Sequence, residues 1–331
     1  MLNRRRALRI AATLVVTGGC IAYILVKIDL GKTAHILGQA DPVYFVAALL
    51  IQSSIVFPMT WRWQQLLRAH EIEERPRWLL RTYLVSFSAG QVLPTSLGGD
   101  ATRIYEASRR HPGRGGAIAG TVLLERALGG AATLVLAAIG FVLAVGRIDV
   151  GAYLWLELTF IVATVVAGVL VFSRSLRRPL ARTVPLLRRL RLEKPVRATY
   201  EGLHSFRESP RLVLGMFALT TFFQSFRIFA IWLGGLSVGV HISPRPYFVL
   251  GPLLLLVMLV PFTVNGLAVR EAFFVSFLTK LGVGADAAFA AGFVFFLVFV
   301  GVALPGLFIF GWETIRPALP RGVGMTRSPP G

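Results

Sequence analysis

The sequence predicts an all-α, polytopic membrane protein, and three observations carry that prediction. Of its 331 residues, 55% are hydrophobic and only 15% charged, against about 25% charged in soluble domains, and the mean hydropathy is +0.68. Windows at 7–26, 42–60, 117–145, 152–172, 212–240 and 287–310 meet the requirement of about 20 mostly apolar residues for crossing a hydrocarbon core of about 30 Å. The arginines collect in a few connecting segments, as the positive-inside bias requires. No polar stretch is long enough to build a soluble domain, so a single membrane domain is expected over 1–312. It consists of a first half at about 42–172, a basic cytoplasmic loop at 173–211 and a second half at about 211–312, followed by a flexible cytoplasmic tail at 313–331.

The net charge of +19, from 35 basic and 16 acidic residues, is read as topology. A nucleic-acid surface would interleave aromatics with the basic residues on a soluble face, which is not seen here, so no nucleic-acid partner is expected. Cys20 is the only cysteine, which excludes intramolecular disulfides and cysteine-rich metal sites. No metal or other cofactor is expected.

The elements follow in order. Arg4, Arg5, Arg6 and Arg9 precede an apolar run too long for a signal peptide and without a clear cleavage site. It reads as an uncleaved first helix with the N-terminus in the cytoplasm of a bacterial cell, spanning the inner membrane. A loop with Lys27, Asp29, Lys32 and Asp41 follows, and the second helix returns near Arg62. Arg62 lies between Trp61 and Trp63 and reads as an aromatic-belt anchor that snorkels to the interface. The apolar segment 78–93 then meets Pro94, and the polar stretch after it carries Arg103, Arg109, Arg110 and Arg114. A re-entrant hairpin that enters and leaves on the cytoplasmic side accounts for this, since non-helical backbone at membrane depth needs protein or a water-filled cavity around it. Spans at about 116–145 and 152–172 lead to the 173–211 loop, with eleven Arg/Lys against Glu193, Glu201 and Glu208. A span at about 211–240 precedes a second broken unit, 247–281, and a last helix at about 286–311 returns the C-terminus to the cytoplasm. The expected total is about eight membrane segments, six full spans and two broken units.

The two breaks align. "PTSLGGDATR" over "PFTVNGLAVR" matches Pro94 with Pro261, Gly99 with Gly266, Ala101 with Ala268 and Arg103 with Arg270. One break enters from each side, which is the inverted repeat from which many transporters are built, with the substrate between interrupted segments; two unrelated kinks are the alternative. Proline stops the incoming helix, and Gly98, Gly99 and Gly266 permit a tight reversal. The restarted helix then offers free N–H groups and a positive dipole end to an anion, and an arginine four residues past the glycine adds a planar fork suited to phosphate.

Ionisable residues inside spans are functional candidates because each costs about 2.5–3.5 kcal/mol on insertion scales. Glu125 and Arg126 lie inside the 117–145 helix, about 100° apart, so each seeks a partner elsewhere. Asp100, Arg103, Arg270 and Glu271 are the available candidates. Gln224 and Arg227 lie well inside the 212–240 helix, as a ligand site or as a polar cluster between helices. Asn265 stands at the second break, as a cap or a ligand contact, and Glu157 is read as interfacial.

At "LPTSLGGDATRIYEA", "LLERALGG" and "PFTVNGLAVREA" the chain resembles the lysylphosphatidylglycerol synthase transmembrane-region family, also described as flippase-like, and the resemblance runs from about 10 to 312. It implies a membrane domain that moves a phospholipid between leaflets. In the multiple peptide resistance factors such a domain is fused to a cytosolic aminoacyl transferase. We expect this chain to lack that transferase, so the resemblance supports lipid handling without singling out lysylphosphatidylglycerol. The leading expectation is a flippase or translocase, not an enzyme, whose partner is a membrane lipid with a phosphate head group; a separate cytosolic synthase or transferase is a further partner it allows. Asp100, Glu125 and Glu271 would engage a cationic head group or carry protons, while Arg103, Arg126 and Arg270 would hold phosphate or balance those acids. There is no phosphate-binding G-x-x-x-x-G-K-[ST] loop, which leaves an ion-coupled exchanger and a passive scramblase both open. The alternative is a membrane subunit or enzyme of lipid-linked glycosyl or phosphoryl transfer. For this the sequence offers only five scattered histidines, His35, His70, His111, His204 and His241.

Overall fold

A computed structural model describes residues 29–92, 98–144, 162, 193–259 and 268–315, and every regular element among them is helical. The expected spans 7–26 and 152–172 (Val162 aside), Glu157, residues 173–192 of the basic loop and the tail from 316 lie outside the described residues. So do Pro94, Pro261, Asn265 and Gly266.

Among the described residues, four helices are long and apolar enough to cross a membrane: Pro42–Arg68, Gly115–Val142, Pro210–Ser237 and Ala285–Trp312. A short helix, α1 (Leu30–Gly38), replaces the expected loop after the first span, and Asp29 caps it by accepting from the Gly31 and Lys32 amides. Asp41 does the same for α2 (Pro42–Ser54), accepting from Val43 N–H at 2.8 Å ahead of a proline in the first turn. After a one-residue interruption at Ile55 the rod continues as α3 (Val56–Arg68). The expected span 42–60 therefore ends eight residues short, and Arg62 lies inside the rod.

Next come α4 (Pro76–Val92) and α5 (Gly98–Arg110), which pack antiparallel. Ser86 Oγ donates to Gly99 O at 2.6 Å near the break, Arg81 pairs with Glu106 at 2.7 Å midway, and Arg110 pairs with Glu74 at 2.6 Å at the open end. The hairpin thus leaves at the end where it entered. Its arms of 17 and 13 residues are about 26 and 20 Å long, short of a hydrocarbon core of about 30 Å. Gly99 is helical and is absent from the residues with positive φ, so the tight-reversal role expected of it is corrected. A Cβ there would lie 2.3 Å from Ser86 O, and glycine is needed for the close approach of α4.

The long α6 (Gly115–Ala144) crosses next. The basic loop also needs correction, because it contains α7 (Glu193–His204). That helix lies on α6 through small residues: a Cβ on Gly116 would sit 2.4 Å from Ala198 Cβ, and one on Gly120 2.8 Å from the Gly202 carbonyl carbon. Beyond it run α8 (Pro210–Ser237), α9 (Tyr247–Leu259), α10 (Val269–Leu278) and α11 (Ala285–Ile315). The last extends past the expected end at 311 and takes in the first three residues of the expected tail. At 13 and 10 residues, α9 and α10 are about 20 and 15 Å long. The main apolar core surrounds this second unit, with Tyr247, Leu250, Leu253, Phe274 and Phe277 all buried. A smaller core of Trp63, Leu79, Tyr83, Ile118 and Val122 packs behind the first hairpin.

Candidate functional site: a buried charge network

The first hairpin delivers its charges to the centre of the bundle. On α5, Asp100 and Arg103 are one turn apart, and Arg103 donates to Asp100 Oδ1 through Nε at 3.2 Å and Nη2 at 2.9 Å. Its Nη1 reaches across to Glu125 Oε2 on α6. The other Glu125 oxygen accepts from Arg62 Nε of α3 at 3.0 Å, and Arg62 Nη1 donates to Thr220 Oγ1 of α8 at 2.6 Å. Arg126 pairs with Asp100 Oδ2 from the neighbouring face of α6. Three arginines and two carboxylates from three helices therefore interlock, with Thr220 tying in a fourth and one positive charge in excess among the described residues.

Aromatic rings enclose the network. The Arg103 guanidinium lies 4.8 Å from the Tyr83 ring centre and 5.2 Å from that of Trp63, and Arg62 lies 5.1 Å from that of Phe223. Trp63 Nε1 is fixed by Thr121 Oγ1 at 3.1 Å. The side chains of Arg103 and Glu125 are 4% and 2% exposed, whereas Arg126 is 34% exposed. Arg62, at 4%, is not an interfacial anchor. Trp61 is exposed and Trp63 fully buried, so the belt reading fits the first tryptophan and fails for the arginine after it. Arg62, Tyr83, Trp63 and Thr220 are the members that sequence reading did not place here. Extending the helix to Arg68 through Gln64 and Gln65 would have put Arg62 inside a span.

The second break holds a separate pair. Arg270 Nε donates to Glu271 Oε1 at 2.9 Å, and the other Glu271 oxygen accepts from the Ala268 amide at 2.9 Å, capping the start of α10. Both side chains are buried, with the Arg270 guanidinium 4.9 Å from the Phe296 ring centre. Among the described residues, Arg270 and Glu271 pair with each other and do not join Glu125 or Asp100.

Gln224 and Arg227 lie further along α8. Gln224 Nε2 bridges to Gly129 O at 3.0 Å and Thr133 Oγ1 at 2.8 Å on α6. Of the expected break residues, Gly98 and Gly99 are buried at the start of α5. The histidines do not assemble: His70 stacks edge-on against Phe206 at 4.9 Å. Burial lowers its pKa, a hydrogen bond with the Gly202 backbone opposes this, and Arg114 adds to the lowering. Among the described residues, no group of three or more His, Cys, Asp or Glu is placed to hold a metal ion.

A helical fold with four apolar spans among the described residues and charges interlocked at its centre defines a polytopic membrane protein with a polar interior. Residues 10–306 match the Lysylphosphatidylglycerol synthase TM region family, and the chain belongs to that family of membrane domains. No curated protein matches it. Family membership and the helical membrane character together assign it a lipid-related role in a membrane.

Proposed function

We propose that the chain is a lipid translocase that moves a phospholipid or lipid-linked phosphate head group between leaflets, past the two broken units. The observation that carries this reading is the network of Arg62, Asp100, Arg103, Glu125 and Arg126. It is built into the bundle from three helices, one end is partly exposed at Arg126, and among the described residues it keeps an excess positive charge. Charges at this depth are expensive and mark substrate pathways. The short arms of both broken units support re-entrant segments; the arginine distribution supports cytoplasmic termini in a bacterial inner membrane. On the inverted-repeat reading, one unit moves against the other to give alternating access. Arg270, Glu271 and Gln224 would line the second side of the path. A separate cytosolic synthase or transferase remains a partner that this reading allows.

Reconstitution into liposomes with head-group-labelled lipids tests it. Lipid should reach the opposite leaflet with the wild-type chain, and this movement should collapse in Asp100→Asn and in Arg270→Gln. Unchanged movement in both variants would sink the proposed path. Product formed by the pure chain from lipid-linked donors would instead favour a transferase.

A further inference from the structure

The network neutralises most of its own charge. Each oxygen of Glu125 and of Asp100 accepts from an arginine, and the N-terminal ends of α5 and α10 already carry Asp100 and Glu271 in their first turns. The anion-binding features expected at the breaks are therefore occupied by the protein's own carboxylates. One guanidinium inside the bundle differs. Arg227 has Gln224 Oε1 at 3.4 Å and Met59 Sδ at 4.0 Å, and its Nε is buried with no partner among the described residues. An arginine carries five N–H donors, and a thioether is a weak acceptor. The charged neighbour acting most strongly on it is Arg62, of the same sign.

Its position excludes the ordinary escape to water. Arg227 is ten residues from the end of α8 at Ser237, about 15 Å along the axis, and helical side chains lean towards the N-terminus, away from that nearer end. It shares a face of α8 with Thr220 and Gln224, the residues that hold Arg62 and α6. It thus lies two turns, about 10 Å, from Thr220, where the network ends. A planar fork with free donors, half-buried at membrane depth, matches the oxygens of a phosphate ester.

We infer that Arg227 is the anion anchor of this membrane domain, binding a phosphate group that the Asp100–Arg103–Glu125 network, already paired, does not hold. This deepens the translocase reading, because the anion is then the phosphate of the head group, and binding tests it separately from transport.

The full chain in a nonionic maltoside detergent is titrated with short-chain phosphatidylglycerol and, separately, with inorganic phosphate, and binding is read by calorimetry. Wild type should bind the phosphatidylglycerol. Arg227→Gln should weaken it about 10- to 100-fold, as expected for loss of charge-assisted hydrogen bonds, and Arg227→Lys should fall between. Binding of inorganic phosphate that equals the lipid's and depends equally on Arg227 supports the anchor and assigns a free anion, which counts against the translocase reading alone. No binding by wild type, or equal affinity in wild type and Arg227→Gln, overturns the inference. A second readout is ligand-free melting. Removing a cation that has no carboxylate partner among the described residues should leave Arg227→Met as stable as wild type or more so, while a clear loss of stability would make Arg227 a structural residue and overturn the proposal. Wild-type lipid movement that persists in Arg227→Gln would reject the anchor and leave the translocase reading standing.

Discussion

In α5, Arg103 stands five residues past Gly98 and its guanidinium crosses to Glu125 on α6. In α10, Arg270 is the second residue and folds back on its neighbour Glu271. The aligned alanines differ too: Ala101 is inside the helix, while Ala268 precedes it with φ at +68°. Similar sequence has therefore produced a long-range network at the first break and a closed local pair at the second. The first ties together four helices, with Thr220 bringing in α8. The second stiffens one helix start within the larger apolar core.

The largest expected effect breaks the long-range side. Glu125→Gln leaves Arg62 and Arg103 buried without their shared carboxylate, and removing one partner of a buried ion pair costs about 3–5 kcal/mol. We expect the upper end of that range, read by SDS titration in mixed micelles. Glu271→Gln strands only Arg270 and should fall at the lower end. The sharper contrast lies in paired replacement. Arg270→Met with Glu271→Gln should recover most of the loss, because removing both charges leaves no buried ion unpaired and the amide oxygen introduced at position 271 can still accept from the Ala268 amide. Arg103→Met with Glu125→Gln should recover much less, since Arg62 and Asp100 both lose partners. Equal recovery at the two sites would show that the first network is no more distributed than the second.

Glycine substitution probes the same difference through packing. A Cβ on Gly99 meets the Ser86 carbonyl oxygen at 2.3 Å, so backbone must separate from backbone. Gly99→Ala should cost about 3 kcal/mol, the upper range for overpacking, and should displace Asp100 and Arg103 from their partners. Near the second pair, a Cβ on Gly292 comes no closer than 3.3 Å to Glu271 Cα and the Phe274 ring. Alanine also gains about 1 kcal/mol of helix propensity over glycine there. Gly292→Ala should therefore remain within about 1 kcal/mol of wild type in the same titration.

The four spans among the described residues were legible because apolar length is a local property, and so was the separation of Glu125 from Arg126, which follows from helical geometry alone. The partners were less legible. Sequence reading named Asp100 and Arg103 as candidates for Glu125 and Arg126, and each pair formed. It also offered Arg270 and Glu271, which turned to each other. Arg62 was misread because a window of hydropathy ended at residue 60, whereas the helix is held to Arg68 by buried Trp63, Leu66 and Leu67. The role of Gly99 was missed for a related reason: its neighbour, Ser86, is thirteen residues away and is brought there only by the hairpin. Likewise α7 was hidden among the arginines, because its docking depends on Gly116 and Gly120 of another helix.

The smallest expected effect concerns the backbone at the second break. Ala268 has φ +68° and ψ −39°, a region that costs a non-glycine residue about 1–3 kcal/mol. The conformation is held from both sides: its amide donates to Glu271 Oε2 and its carbonyl accepts from the Ala272 amide, each at 2.9 Å. Glycine adopts positive φ freely but loses about 0.5–1 kcal/mol more entropy on folding. Ala268→Gly should therefore stabilise the protein by about 1 kcal/mol in the SDS titration. Ala101→Gly, inside α5, should do the reverse by a similar amount. Opposite signs at two aligned alanines would be the most direct measure that the breaks restart their helices at different points. If both substitutions destabilise, the strain at Ala268 is absent, and the closed cap of the second pair loses its support.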